Sequence, residues 1–358
     1  MNSQPLVLQA FRQPRSLISL SLEDWDLLLR QARQANLLAR LYVLLDEHGL
    51  LERVPSQPRE HLEWSHVIAD RHTKAIHWEI SLIRKALARV GVPIILLKGA
   101  AYVMADLPSA RGRLFTDIDI MVPKDRLNEV EAALMLHGWA ATHHDAYDQR
   151  YYRTWMHELP PMQHVKRSTV IDVHHAILPE TAAIHPDPEK LRAAACALDG
   201  CDDVQVFSPA DMVLHSATHL FHDGELENGL RDLVDIHSLL CHFDSLPTFW
   251  SDLAERAREL ELTRPLFYAL RYATLFLHTP IPADVQEAVS TGRPNRLTLT
   301  LMDSLFTRAL MPVHPSCSDG LTGGARWMLY VRSNWLRMPP LLLARHLFHK
   351  AFFSPKAE

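Results

Sequence analysis

The stretch that decides the fold is residues 96–122, LLKGAAYVMADLPSARGRLFTDIDIMV. It runs from a short apolar segment through a glycine turn and an arginine-containing loop into alternating acidic and aliphatic residues. Alternate side chains of a β-strand share a face, so Asp117 and Asp119 project together while Ile118 and Ile120 point into a core. Two neighbouring carboxylates repel each other unless a cation lies between them. The stretch therefore predicts a site for metal and phosphate.

The composition is that of a globular protein. Of 358 residues, 47% are hydrophobic and 22% are charged, which is ample for a packed core. The net charge of -5 disfavours broad, non-specific nucleic-acid binding. The four cysteines form no C-x-x-C pair, so a reducing cytoplasmic location is the simplest prediction. No apolar run approaches the ~18 residues of a transmembrane helix, and no such helix is expected.

The stretch lies between two helical regions. Apolar residues with helical spacing dominate residues 17–90 and return from Pro209 onward. The residues between them mix short alternating runs with helical ones, and residues 147–155 are aromatic and β-prone. The sequence predicts an α+β fold with a mixed-sheet core. We expect an N-terminal helical region at 1–90, the core at 91–178 and a C-terminal helical region at 179–358.

The turn before the first helix of the core has the composition of a phosphate-binding turn. Gly99 lets the backbone approach a ligand closely, and the free N–H groups of a helix start favour phosphate. Lys98 adds a positive charge. The alternative is a turn with no ligand, which is common after a strand.

A third carboxylate follows on a later predicted strand. Asp172 alternates with apolar residues as the earlier pair does, and three carboxylates are what two-metal nucleotidyl transfer requires. His174 shares its face, where it would bind a phosphate or a metal-bound water, or make a structural hydrogen bond. Arg113 would contact phosphates or pair with Asp117 and Asp119.

Together these motifs resemble a known group of proteins. The segments that carry the resemblance are Leu97-Lys98-Gly99-Ala100-Ala101, Arg113-x-x-x-Asp117-Ile118-Asp119-Ile120-Met121-Val122, Gly138-Trp139, Ile171-Asp172-Val173-His174, and later Ser208-Pro209-Ala210-Asp211, His215, His219, Arg231 and Leu233-Val234-Asp235-Ile236. They are similar to the poorly characterised bacterial "nucleotidyltransferase family protein" group of the DNA polymerase beta-like superfamily. The resemblance covers most of residues 20–250.

The resemblance implies a nucleotidyltransferase fold, Mg²⁺ and a nucleoside triphosphate, with ATP the expected one. An acceptor hydroxyl or phosphate would attack the α-phosphorus and release pyrophosphate. Asp117, Asp119 and Asp172 would be the catalytic, metal-binding carboxylates. The nucleotide-binding residues would be Lys98, Gly99, Ala100, Arg113, Thr116 and His174. The superfamily usually has Gly-Ser or Gly-Gly in the turn, and Lys98 would substitute for the hydroxyl that Ala100 lacks.

Several alternatives remain open from the sequence. The chain would otherwise be a catalytically silent nucleotide- or partner-binding member of a biosynthetic or toxin–antitoxin module, or a helical interaction protein with a surface D-x-D. The acceptor would be a protein, a small molecule or RNA. The basic, aromatic residues 325–353 would contact an anionic membrane or a partner, or form a packed terminal helix. His215, His219 and His222 would bind a metal or line a cleft.

Overall fold

The computed structural model describes residues 4–142, 146–224, 226–340 and 342–344. A seven-stranded mixed sheet lies at its centre with helices on either side in the sequence, and this confirms the predicted α+β fold class. The strands are β1 (Ile94–Leu96), β2 (Asp117–Met121), β3 (Trp139–Ala141), β4 (Met162–His164), β5 (Val170–His174), β6 (Cys196–Leu198) and β7 (Cys201–Val206).

The sheet has the order β3-β4-β5-β2-β1-β7-β6. Two pairs are parallel, β2 with β5 and β1 with β7, and the other neighbours are antiparallel. The central strands are almost fully buried, as expected for a sheet covered by helices. The sheet therefore presents strands β1, β2 and β5 side by side, and these carry the predicted site.

Helices surround the sheet. The α-helices are α1 (Leu6–Arg12), α2 (Leu22–Gln34), α3 (Leu38–Glu47), α4 (Ser56–Leu87), α5 (Lys98–Met104), α6 (Leu127–Leu136), α7 (Ala146–Trp155), α8 (Pro188–Ala193), α9 (Pro209–Thr218), α10 (Gly229–Phe243), α11 (Phe249–Glu259), α12 (Thr263–Leu277), α13 (Ala283–Ala288), α14 (Arg296–Ala309) and α15 (Thr322–Arg337). Short 3-10 helices span Pro14–Ser19, Leu51–Arg53, Pro108–Ala110, Lys124–Arg126, Val289–Gly292 and Pro315–Cys317, and His219–Asp223 forms a π-helical turn. Among the described residues, no helix combines the length and apolar character needed to cross a bilayer.

The N-terminal helices form where the sequence predicts them. Helix α2 begins at a capping box in which Ser21 accepts from the Asp24 N–H group and the Asp24 side chain accepts from the Ser21 N–H group. Its apolar stripe is buried, with Trp25 and Leu28 at most 1% exposed. Helix α4 ends at Leu87, inside the range 17–90 that the sequence predicts to be helical.

The segment predicted to be β-prone, residues 147–155, is helical instead, within α7. Its aromatic content favours a strand, but side-chain pairs four residues apart favour the helix. Gln149 accepts a hydrogen bond from Arg153, and the rings of Tyr151 and Trp155 lie 5.8 Å apart. These local pairs outweigh the β propensity of the individual residues.

The sheet takes its last two strands, β6 and β7, from residues 196–206, beyond the region 91–178 predicted as the core. β7 pairs with β1 in parallel, with Ile95 opposite Gln205. The apolar core also continues from the N-terminal helices through the sheet to α15. The division into three regions at 90 and 178 stays a prediction.

The predicted contact segment 325–353 is described only in part. Helix α15 packs against α14, while Trp327, Tyr330 and Trp335 are more than half exposed. Residues 345–353 lie outside the described residues. The packed face of α15 agrees with a packed terminal helix. Its exposed aromatic face leaves contact with a membrane or a partner as a prediction.

Ile120 provides a test of the sheet as the centre of the core. It is 0% exposed on β2, between β1 and β5. We expect Ile120→Ala to lower the free energy of unfolding by about 2–5 kcal/mol, because it removes buried methyl groups and leaves a cavity. Leu136→Ala is the control, since Leu136 is 86% exposed and its loss should change stability by less than about 0.5 kcal/mol. Denaturant unfolding measures both, and equal effects would contradict the placement of Ile120.

Candidate functional site

Three carboxylates meet on one face of the sheet. Parallel pairing of β2 with β5 places Asp119 directly opposite Asp172. Asp117 lies two residues before Asp119, so its side chain projects from the same face. Neighbouring strands are about 4.8 Å apart. The structure therefore brings together the three aspartates that the sequence predicts as one site.

Two of the three carboxylates, those of Asp117 and Asp172, lie in an environment that disfavours their negative charge. Burial, with the charges of Asp119, Glu158 and Asp117, raises the pKa of Asp172 to about 7. Burial and the charge of Asp119 also raise the pKa of Asp117. In the described ranges, the buried Oδ1 atom of Asp172 has no hydrogen-bond partner. An unpartnered oxygen among like charges is a fitting ligand for a divalent cation.

Asp119 differs from the other two because it has cationic neighbours. Although burial opposes the effect, Lys98 and His174 hold the pKa of Asp119 well below its usual range. The Lys98 Nζ atom lies 3.7 Å from Asp119 Oδ1. His174 Nε2 donates to the same oxygen at 2.9 Å. Asp119 is therefore the member of the group whose negative charge the surrounding residues stabilise most.

His174 makes the structural hydrogen bond that was one of its two predicted roles. Its Nε2 atom binds Asp119, and its Nδ1 atom lies 3.3 Å from Glu158 Oε2. The imidazole thus stands between two carboxylates and fixes the position of Asp119 on the sheet. Its contact with a phosphate or a metal-bound water stays a prediction.

The backbone at Lys98 has an unusual conformation. Its φ angle is 44°, in the left-handed region that residues other than glycine seldom adopt. The residue begins α5, directly after β1, and its ammonium group is directed toward Asp119. Local strain of this kind is found where a side chain must be held in place, and here it places a cation beside the carboxylates.

Gly99 makes room for an arginine. A Cβ atom at this position would lie 2.8 Å from Phe115 and would overlap the Arg113 guanidinium. The guanidinium lies over the rings of Tyr102 and Phe115, at 5.9 and 5.3 Å from their centroids. Phosphate binding at Gly99 stays a prediction, and the observed reason for glycine is the close approach of Arg113.

The ion-pair partner of Arg113 lies on α10. Arg113 Nε donates to Asp235 Oδ2 at 2.9 Å. Their side chains are only 12% and 8% exposed. Arg113 therefore pairs with Asp235, and not with Asp117 and Asp119 as one of the two alternatives predicts. Because the pair is buried, it ties the loop before β2 to the C-terminal helices.

Asp117 and Asp119 face a cleft between the sheet and the C-terminal helices, whereas Asp172 is not among the residues that line this cleft. Lys98, Gly99, Thr116, Asp117 and Asp119 line the wall formed by the sheet and its turn. The opposite wall consists of Ser216, His219, Asn228, Arg231, Asp232 and Asp235, and Tyr102 and Arg113 complete the lining. The sequence does not indicate that Tyr102, Ser216, Asn228 and Asp232 line the cleft, because these residues belong to no local motif.

Two predicted nucleotide-binding residues lie away from the opening of this cleft. Ala100 is 1% exposed and His174 is 4% exposed, and both lie below the cleft-lining residues. Ala100 supports the turn from within the core. Their role in nucleotide binding stays a prediction, and the structure shows Ala100 beside Lys98 in the chain and His174 bonded to Asp119.

The three histidines of α9 and the following turn have different surroundings. His219 lines the cleft, which is one of the two roles that the sequence predicts for these histidines. His215 is buried with its ring 5.6 Å from that of Phe207, and His222 is also buried. Within the described ranges, the ligand atoms close enough together to hold a metal belong to a different group, His157, Glu158 and His174.

Comparison with known proteins identifies one family. A family model described as "Uncharacterised nucleotidyltransferase" matches residues 21–278, which include all strands of the sheet and every residue that lines the cleft. Searches of curated proteins and of solved structures gave no match.

Asp172→Asn tests the electrostatic environment of the carboxylates. With its pKa raised to about 7 in the folded protein, Asp172 makes the fold less stable as pH rises from about 4, the unfolded value, to 7. Above pH 7 the wild type has lost all of this contribution to its free energy of unfolding. The asparagine variant has no carboxyl group to ionise and does not lose it. Without divalent cations, we expect the variant to exceed the wild type in stability at pH 8 by about 1 kcal/mol or more.

The measurement is denaturant unfolding in a chelator, repeated from pH 5 to pH 8. The advantage of Asp172→Asn should shrink toward pH 5. Asp125→Asn is the matched control, because Asp125 is exposed, and its effect should be small at every pH. An advantage of Asp172→Asn that does not change with pH would contradict the environment described.

Proposed function

The chain belongs to the uncharacterised nucleotidyltransferase family, and on that premise we propose that it transfers a nucleoside monophosphate from a nucleoside triphosphate to an acceptor. The observation that carries the proposal is the cross-strand pair of Asp119 and Asp172, with Asp117 on the same face. Carboxylate oxygens gathered at one point are the ligand set that Mg²⁺ prefers.

Asp117, Asp119 and Asp172 would hold the magnesium. Bound there, Mg²⁺ would neutralise phosphate charge and favour attack at the α-phosphorus. The unpartnered Oδ1 atom of Asp172 supports this assignment, because a cation would supply the partner that it lacks. His174 would keep Asp119 ionised and oriented through its 2.9 Å hydrogen bond.

The triphosphate would bind beside the Lys98-Gly99 turn. Lys98 is the cation nearest the carboxylates on that wall, and its side chain lines the cleft and is 21% exposed. It would contact phosphate in place of the serine hydroxyl that the resembled superfamily often has in this turn. Arg113 and Arg231 also line the cleft, and each would donate its remaining N–H groups to phosphate while paired with Asp235 or Asp232.

The reaction would exchange one phosphorus–oxygen bond for another. An acceptor oxygen forms a bond to the α-phosphorus, the bond to the bridging oxygen breaks, and pyrophosphate leaves. We propose ATP as the nucleotide. The acceptor is a protein, a small molecule or RNA, and it would enter from the wall that carries His219 and Arg231.

The same geometry weighs against the two rival interpretations. A silent member of the family would have lost part of the carboxylate group, yet all three aspartates share one face. A D-x-D on the surface would have no third carboxylate beside it. Asp119 is also 7% exposed, which a solvated surface feature would not be.

Binding of radiolabelled ATP in the presence of Mg²⁺ tests the proposal. We expect saturable binding by the wild type and at least a 100-fold loss of affinity in Asp117→Ala/Asp119→Ala, because the cation that bridges protein and phosphates loses its ligands. Equilibrium dialysis measures the binding, and transfer of α-phosphate label to candidate acceptors follows from it.

Asp125→Ala is the control, because it removes an exposed carboxylate outside the cleft and should bind ATP like the wild type. The other three nucleoside triphosphates are measured alongside. Equal Mg²⁺-dependent binding by the wild type and the double variant, for all four nucleotides, would overturn the proposed site.

A further inference from the structure

A group of potential metal ligands lies beside the carboxylates and has a different chemistry. Within the part of the chain that the structure describes, one ligand atom each from His157, Glu158 and His174 lies within 4.8 Å of the others. Two imidazoles and one carboxylate suit zinc and similar transition metals, whereas the all-oxygen aspartate site suits magnesium. We infer that these three residues form a second metal site, specific for a divalent cation of the zinc class.

The distances fit a zinc site before any metal is added. Ligands about 2.0–2.2 Å from a tetrahedral zinc ion lie about 3.4 Å from one another. His174 Nδ1 and Glu158 Oε2 are 3.3 Å apart. The rings of His157 and His174 have centroids 5.3 Å apart, so the second imidazole needs only a small adjustment.

The backbone holds the ligands in place. Glu158 forms an antiparallel bridge with His174, so the segment before β4 lies against the end of β5. The Leu159 N–H group donates to the Val173 carbonyl at 2.9 Å, and the His175 N–H group donates to the His157 carbonyl at 2.8 Å. Hydrogen bonds on both sides of the bridge give a preorganised site, which favours metal binding.

Asp119 orients the His174 ligand. Metal-binding histidines usually donate their second ring nitrogen to a carboxylate, which fixes the tautomer and turns the other nitrogen toward the metal. His174 Nε2 donates to Asp119 Oδ1 at 2.9 Å, and this leaves Nδ1 facing Glu158. A lone pair on Nδ1 would be repelled by the Glu158 carboxylate, and a proton or a metal ion bound at Nδ1 removes that repulsion.

The buried side chain of His157 gives independent support for a metal site. Its Nδ1 atom is buried and has no hydrogen-bond partner among the described residues. Buried polar atoms are rarely left without a partner, and each exception requires an explanation. An imidazole retained for metal binding is that explanation. Glu158 is 18% exposed, so a metal can reach the site from solvent.

The test is metal binding by the full chain, which separates this inference from the nucleotide proposal. After removal of metals with a chelator, the protein is dialysed against Zn²⁺ or Co²⁺ in the presence of excess Mg²⁺. We expect one tightly bound Zn²⁺ per chain by elemental analysis, and visible Co²⁺ absorption bands of a site with nitrogen ligands. His157→Ala and Glu158→Gln should each weaken Zn²⁺ binding at least 10-fold.

Two controls identify the ligands. His137→Ala removes an exposed histidine and should leave the tight site unchanged, which matters in a chain with 22 histidines. Asp172→Asn removes an oxygen ligand of the proposed magnesium site and should also keep the Zn²⁺. Circular dichroism checks the fold of each variant, and if His157→Ala does not fold, the nearly isosteric Glu158→Gln decides alone.

The inference is overturned if the wild type binds no more Zn²⁺ than Glu158→Gln does. Retention of the Co²⁺ bands in both ligand variants would likewise overturn it. Neither outcome depends on ATP binding, so failure of this site and failure of the nucleotide site give separate results.

Discussion

The parallel pairing of β2 with β5 is the interaction on which the site depends. It places Asp119 opposite Asp172 although like charges repel, so another force must hold the register. That force is the burial of the opposite face, where Ile118, Ile120 and Ile171 are at most 3% exposed. A slip of one residue would move these side chains to the wrong face. Hydrophobic burial thus imposes an electrostatic arrangement that the carboxylates alone would not adopt.

The cations around the cleft are unevenly distributed relative to the three carboxylates. Lys98 lies beside Asp119, while Arg113 and Arg231 are paired with acids of α10. The arginine charges are therefore largely balanced within the C-terminal wall, and Lys98 is left to offset three carboxylates together with His174. When all three carboxylates are ionised, their negative charges outnumber these two cations, and that excess attracts a divalent cation.

The side-chain placements that could be predicted from the sequence are those set by local periodicity. The alternation of β2 and β5 is enough to place three aspartates on strand faces, because a strand has a period of two. The ion pair of Arg113 with Asp235 spans 122 residues of sequence, and no local pattern reports it. Strands β6 and β7 are missed for the same reason, since their place is set by pairing with β1. In α7 the aromatic residues mislead because their propensity depends on context.

His174 contacts residues of both proposed metal sites, and its chemistry would make the two sites interdependent. One ring nitrogen binds Asp119, which would hold magnesium, and the other faces Glu158, which would hold zinc. A metal on Nδ1 makes the Nε2–H group a stronger donor than in a neutral imidazole, so the bond to Asp119 strengthens. That draws electron density from Asp119 and weakens it as a magnesium ligand, while fixing its orientation more firmly. Because a preorganised ligand loses less entropy when it binds, firmer orientation offsets weaker basicity. A zinc ion at the second site would therefore stabilise the geometry of the first without replacing its magnesium.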